Sequence, residues 1–320
     1  MSLLAIPPWS TVVTCHGVLF APLTAVDDRI YGWAAYIHTP AGRDPDAEFW
    51  GSAWTKVLGM RYDEYRLLVS HIPGLADDRL GRLASIDPRA ITYALFPQEP
   101  ELVARHGDRL HALAATLHVP ASTLGVYGSA VYKPPEQRSD LDFVIYGEHH
   151  ARTALAVIRE LLAAHRPYRK PDGRRYHLRF RVPGVDEWFD PRFSTPDPIT
   201  PALVSGAYEL LGERPMGTVT VTDDRMGLFN PARYQLSDGT MLVSYRLGHA
   251  ALFRTGDRLA LPSLPCARFG EQVVRLVLRY EHIDIVRSRE PHVDPVRYRP
   301  HRSGRTQADL PADRRHAHLQ

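Results

Sequence analysis

Apolar and polar residues follow two rhythms along this chain, and those rhythms divide it into elements. TVVTCHGVLF (11–20) and YGWAAYIHT (31–39) are rich in β-branched and aromatic residues and flank a polar turn holding Asp27 and Asp28. Such a pattern predicts a β-hairpin. RYDEYRLLVSHI (61–72) instead repeats its apolar residues at helical spacing, at Tyr62, Tyr65, Leu68 and Val69. EPELVARHGDRLHALAATLH (99–118) does the same on a broad face, with Gly107 placed to break or kink the helix and Val119-Pro120 to end it. STLGVYGSAV reads as a strand running into a turn, DLDFVIYG as a second strand, and His149 to about Ala164 as a helix. Residues 174–182 (RRYHLRFRV) alternate, and Pro183-Gly184 turns the chain into VDEWFDPRF, so two adjacent antiparallel strands are expected there.

Pro191, Pro196, Pro198 and Pro201 mark a boundary zone. Beyond it GTVTVTDD, TMLVSYRLG and AALFRTGDRLALP read as strands, with Asp238-Gly239 and Thr255-Gly256-Asp257 at turns. QVVRLVLRYE fits a strand or a helix. The expected class is α+β. The chain divides into an N-terminal α+β region (1–95), a central domain (96–212), a β-rich domain (213–289) and a polar tail (290–320) whose Arg, His and Pro content predicts disorder. No apolar run is long enough for a membrane-spanning helix, which needs about 18 or more apolar residues. The start lacks a basic segment and is cut by Pro7-Pro8, so it is a poor secretory signal. Cys15 and Cys266 make no disulfide framework, and reduced thiols in a cytoplasmic protein are expected.

Charge narrows the partners. The formal net charge is +3, while residues 287–320 hold eight Arg against four acidic residues. The body is therefore close to neutral, whereas a surface for long nucleic acid is usually basic. Of the 39 basic residues only Lys56, Lys133 and Lys170 are lysine, a bias of composition rather than a phosphate-binding signal.

The chemistry concentrates in LGVYGSAVYKPPEQRSDLDFVIYG (124–147). Residues two apart on a strand share a face, so Asp140 and Asp142 present two carboxylates side by side while Leu141 and Phe143 face the core. Like charges that close repel unless a cation neutralises them. Mg²⁺ prefers oxygen ligands, commonly one or two carboxylates together with substrate phosphates. Gly128 lets the backbone approach a triphosphate, and Ser129 adds a hydroxyl and an N–H. For Lys133, reaching the triphosphate stands against an exposed loop lysine, and Arg138 is equally open. Arg175, Arg179 and Arg181 fall on one alternating face, either a phosphate or acceptor groove or a solvated surface. His149-His150 begins a helix, His316 and His318 sit in the tail, and Asp223-Asp224 lies in a turn.

Strand, Gly-Ser, a spacer and Asp-x-Asp on a second strand resemble the signature of the polymerase-β-like nucleotidyltransferase superfamily. The wider chain, with LFNPARY, is similar to uncharacterised prokaryotic nucleotidyltransferase-domain proteins of archaeal type. The resemblance implies a mixed sheet flanked by helices, two Mg²⁺ ions (Mn²⁺ as a substitute) and an NTP substrate. It implies transfer of an NMP to a hydroxyl acceptor with release of pyrophosphate. Asp140 and Asp142 would be catalytic metal ligands, with Gly128, Ser129 and Lys133 on the nucleotide. It also requires a third carboxylate that acts on the attacking hydroxyl. Asp190 is preferred over Asp186 and Glu187 because two aromatic residues precede it and Pro191-Arg192 follow. Pro191 suits only an edge or a strand end. A small or short acceptor is preferred. The alternatives are an RNA-end nucleotidyltransferase or a non-catalytic nucleotide-binding or regulatory protein on the same fold.

Overall fold

A computed structural model of the chain describes residues 6–75, 80–133, 140–164 and 177–288. Among them are three sheets and six α-helices, a mixed α+β arrangement. No described helix is long and apolar enough to cross a membrane.

The first sheet contains β1 (Thr11–Thr14), β2 (Val18–Val26), β3 (Arg29–His38), β4 (Ala47–Phe49) and β5 (Ser52–Lys56); helix α1 (Tyr62–Val69) precedes β6 (Ala84–Ile86) and β7 (Ile91–Leu95). Its order is β4-β5-β3-β2-β1-β7, with β6 also on β3. The single strand expected over 11–20 is two strands. Gly17, at φ 68°, reverses the chain, and Val12 pairs with Phe20. A left-handed residue costs little only without a side chain, so this glycine decides the fold locally. The turn at Asp27-Asp28 joins β2 to β3, with Val26 opposite Arg29.

The second sheet is smaller. The helices α2 (Pro100–Arg105) and α3 (Gly107–Leu117) break at His106-Gly107, and α3 ends on a left-handed His118. Then come β8 (Leu124–Val126), α4 (Ser129–Tyr132), β9 (Leu141–Tyr146), α5 (Glu148–Ala164), β10 (Phe180–Arg181), β11 (Trp188–Ser194) and α6 (Ile199–Ser205). The order is β10-β11-β9-β8, with β9 and β11 parallel and the other pairs antiparallel. Leu141, Phe143 and Ile145 of β9 and Phe189 and Phe193 of β11 meet Leu110, Leu113 and Leu117 of α3 and Ala151, Ala154 and Ile158 of α5 in one core. Alternation therefore turns Asp140, Asp142 and Asp190 to the opposite face. The strand expected over 174–182 shrinks, among the described residues, to Phe180–Arg181. Residues 174–176 lie outside the described residues. Pro191 has no β10 neighbour, because that pairing stops at Phe180–Phe189, so β11 is an edge at the proline.

The third sheet comprises β12 (Glu209–Arg214), β13 (Gly217–Asp223), β14 (Ala232–Leu236), β15 (Met241–Ser244), β16 (Arg258–Leu261), β17 (Leu264–Phe269), β18 (Gln272–Val277) and β19 (Asp284–Arg287). Its order is β12-β17-β18-β15-β14-β13-β16-β19. The ambiguous QVVRLVLRYE stretch contains the strand β18. AALFRTGDRLALP keeps only Arg258–Leu261 as strand, because His249, Ala250 and Ala251 turn toward the β14 side, with Ala251 N–H donating to the Gly227 carbonyl at 2.8 Å. The boundary drawn between residues 212 and 213 falls inside β12, which pairs with β17 from Glu209 onward. The tail expected to be disordered lies outside the described residues.

One cluster binds the three sheets together. Trp33 from the first, Val144 from the second and Val243 and Leu276 from the third share it with Trp9, Tyr127 and Leu203. The Trp9 and Trp33 rings stack at 5.5 Å, and Tyr127 lies 5.2 Å from Trp9. Burial of a large aromatic dominates such a joint, and removal leaves a cavity that neighbours from three sheets cannot all close. Trp33→Ala is expected to cost about 3–5 kcal/mol in a denaturant titration. A cost below about 1 kcal/mol would show that the joint does not carry the fold.

Candidate metal centre

The site forms where β8 gives way to α4 and two parallel strands run side by side beneath. In the β9–β11 pair Asp190 stands opposite Asp142, so register places both side chains on one face, with Asp140 two residues back. One oxygen from each of Asp140, Asp142 and Asp190 lies within 4.8 Å of the other two. Asp140 and Asp190 are buried, and Asp142 is partly accessible.

Three carboxylates that close need counter-ions, and the described residues supply two. Arg179 of the β10 hairpin is buried and forms ion pairs with Asp140 and with Asp190, the latter at 3.1 Å. Arg192, two residues beyond Asp190 on β11, donates to its other oxygen at 2.9 Å. Burial works against the Asp190 charge, yet Arg192 and Arg179 together hold its carboxyl below the usual carboxylate range. Asp142 has no arginine partner among the described residues. Its Oδ2 accepts hydrogen bonds from the Ser129 N–H and the Ser129 hydroxyl, both at 3.1 Å. Desolvation, with the charges of Asp140 and Asp190, pushes its carboxyl up to about 7.

Gly128 makes this packing possible. Its backbone, at φ 63° and ψ −142°, is one that essentially only glycine adopts, and a Cβ there would stand 2.6 Å from Asp142 Oδ2. Tyr127 beside it is pinned by its ring on Trp9 and by its N–H on the Asp142 carbonyl at 3.2 Å. Three hard oxygen donors carry one more negative charge than two arginines cancel, and the bare glycine lines the crevice beside them. Asp140, Asp142 and Asp190 could together hold a divalent cation.

The other candidates lie elsewhere. Glu187 pairs with Arg109 at 3.0 Å, and the exposed Asp186 pairs with Arg181 at 3.4 Å, so neither joins the cluster. Lys133 is partly buried at the far end of α4 and lines a cavity with Trp50, Arg105 and Arg109. The basic face expected of the arginine run separates. Arg179 neutralises the aspartates, whereas Arg181 is half exposed and lies over the Trp188 ring at 4.6 Å. Arg138 and Arg175 lie outside the described residues, as do His316 and His318. Asp223, expected in a turn, is instead the last residue of β13, and it pairs with Arg225 in the turn that follows. Cys15 and Cys266 are free thiols, one exposed and one buried. The role of Arg179 was missed, and the signal for it was the alternation that set Arg179 apart from Phe180. Comparison of the chain with protein-family models, with curated proteins and with solved structures finds no match.

The Asp142 carboxyl makes metal-free stability depend on pH. Its folded-state pKa lies above that of an unfolded aspartate, about 3.9. The stability tied to it is fully present below that value and is lost as pH rises through about 7. With EDTA present, the melting temperature is expected to fall between about pH 5 and about pH 8. Mg²⁺ should restore it most at the upper end, and Asp142→Asn should flatten the slope. An equal slope in that variant would remove Asp142 as the source. Gly128→Ala should cost about 1–3 kcal/mol from backbone strain alone and weaken the Mg²⁺ response. A wild-type Mg²⁺ response in that variant would show that the crevice tolerates a side chain.

Proposed function

We propose that the chain is a metal-dependent nucleotidyltransferase of the polymerase-β type, moving an NMP from an NTP to a hydroxyl acceptor. The observation that carries the reading is the convergence of Asp140, Asp142 and Asp190 beside a glycine-serine turn, with all three on the non-core face of a mixed sheet. Sequence separates Asp190 from the pair by some fifty residues, yet the parallel register aligns it with Asp142. A helix-backed, partly parallel sheet with this turn after its first strand is the arrangement the resemblance implies.

In the reaction the acceptor oxygen forms a bond to the α-phosphorus as the bond to the β-phosphate oxygen breaks and pyrophosphate departs. Mg²⁺ held by the three aspartates would neutralise phosphate charge and acidify the acceptor hydroxyl. The chain contributes positioning. Arg179 and Arg192 fix Asp140 and Asp190 by charge-assisted hydrogen bonds, which hold geometry better than neutral ones. Gly128 leaves room for phosphate, and the Ser129 hydroxyl and N–H, now on Asp142, are the donors nearest to it. A small or short acceptor fits a nearly neutral body. Mg²⁺ as the ion, ATP or another NTP as the donor and a cytoplasmic setting belong to the same proposal.

Asp142 offers the cleanest test because, among the described residues, no arginine is ion-paired to it. Asp142→Asn removes a repelling charge and leaves both ion-paired neighbours in place. The variant is expected to melt at or above the wild-type temperature without metal, while pyrophosphate release falls by roughly 10²-fold or more. A residue kept at a cost to stability is one kept for function. Pyrophosphate release near the wild-type level, measured with each NTP and a small-molecule extract, would end the reading. NTP binding without release under any condition would favour a nucleotide-binding protein without chemistry.

A further inference from the structure

Beyond α4 a cleft with two lobes opens between the β4–β5 turn and the α2–α3 pair. The larger lobe, about 310 Å³, is lined by Arg105, Arg109 and Lys133. The smaller, about 140 Å³, is lined by Glu99, Glu101 and Tyr93. Trp50, Arg105 and Val131 belong to both, so the lobes are the two ends of one space. Together they reach the size of small-molecule sites, which begins at roughly 300 Å³.

Arg109 and Lys133 line the larger lobe alone and Glu99 and Glu101 the smaller, with Arg105 at the junction of the two. Arg109 shares its charge with Glu187, while among the described residues neither Arg105 nor Lys133 forms an ion pair. Cations gathered at one end suit a multiply charged anion, and arginine matches phosphate geometry. At the other end two carboxylates accept N–H donors. Between them stands Trp50, a large aromatic residue left 46% exposed. Its three ring neighbours, Phe49, Tyr93 and Tyr132, lie at steep angles of 83°, 87° and 68°, so none stacks flat against it.

Trp50 is also where the backbone is least suited to a large residue. The two-residue turn from Phe49 to Ser52 holds Trp50 at φ 52° and Gly51 at φ 69°. Such turns select Asn, Asp or Gly. A strained position carrying an exposed indole over a charged cleft is a sign of use rather than of folding. The geometry points to this cleft as a site for a nucleoside phosphate. The phosphate faces Arg105, Arg109 and Lys133, the base stacks on Trp50, and the base's N–H edge faces Glu99 and Glu101. Guanine, with adjacent N–H donors, fits the carboxylate end best, and uracil, with two carbonyl acceptors, fits it worst. The metal centre is approached from the other end of α4, where Ser129 meets Asp142. Binding here therefore requires neither a cation nor the transfer reaction.

Calorimetric titration of the full chain in EDTA tests this, using GMP, UMP, guanosine and inorganic phosphate as probes. GMP should bind saturably, and UMP, guanosine and phosphate each more weakly. Arg105→Ala should weaken GMP by roughly tenfold or more, the loss of a charge-assisted contact. Trp50→Asn should do the same by removing the stacking face, with a residue the turn prefers, so the variant folds. Asp142→Asn should bind GMP as the parent does, even with pyrophosphate release abolished, which keeps this site separate from the transfer reaction. The assignment is overturned if no probe binds in EDTA. It is equally overturned if GMP binding survives Trp50→Asn and Arg105→Ala unchanged.

Discussion

The candidate site rests on one electrostatic imbalance: among the described residues, three carboxylates meet two guanidinium groups. Transferring a charge out of water is costly unless it is paired, and breaking a buried pair leaves that cost exposed. Arg179 and Arg192 meet the demand for Asp140 and Asp190, and the ion pairs hold both buried side chains in place. Among the described residues Asp142 receives only the hydrogen bonds of Ser129, and its carboxyl rises toward neutrality. A fold selected for stability alone would have no reason to put a third acid there. That surplus charge is what would let the three aspartates hold a divalent cation.

How much of this could be read beforehand depends on the distance over which each feature is decided. The Asp140-Asp142 pair and the core-facing Leu141 and Phe143 follow from the period of one strand, and so were legible in the sequence. Asp190 was legible in part: its aromatic neighbours suggested it, and the warning attached to Pro191 turns out to describe a strand whose partner β10 has already ended. Gly17 was present in the sequence, but a β-rich run hid the reversal it makes. β12, β14, β17 and β19 were missed because their patterns are short and are fixed by cross-strand partners rather than by local periodicity. Arg179 could be assigned to a face but not to a partner, since its carboxylates come from two other strands.

The N-terminal sheet, read from the sequence as a region of its own, packs beneath the site, a contact that local periodicity does not reveal. Trp9, itself at φ 70°, places its indole between Trp33 and Tyr127, and the Tyr146 hydroxyl donates to the Pro8 carbonyl at 3.0 Å. Tyr127 directly precedes Gly128. The strained glycine is thus held from behind by a stack of aromatic rings that begins in another sheet. Catalytic constellations need such support, because a loosely held turn drifts by more than the geometry tolerates.

The same sheet reaches the far side of α4 through Phe49 and Trp50, whose rings contact Tyr132 at 4.4 Å and 5.8 Å. A helix of four residues has little intrinsic stability, since nucleating a turn fixes several dihedral angles for a single hydrogen bond. Here α4 is fixed at one end by Asp142 and at the other by aromatic packing on Tyr132. Each end is held by its own contacts, Ser129 by the Asp142 carboxylate and Tyr132 by the Phe49 and Trp50 rings. Two chemically distinct spaces share one short rigid element, so the N-terminal sheet belongs to the working part of the molecule as much as the strand that carries the aspartates.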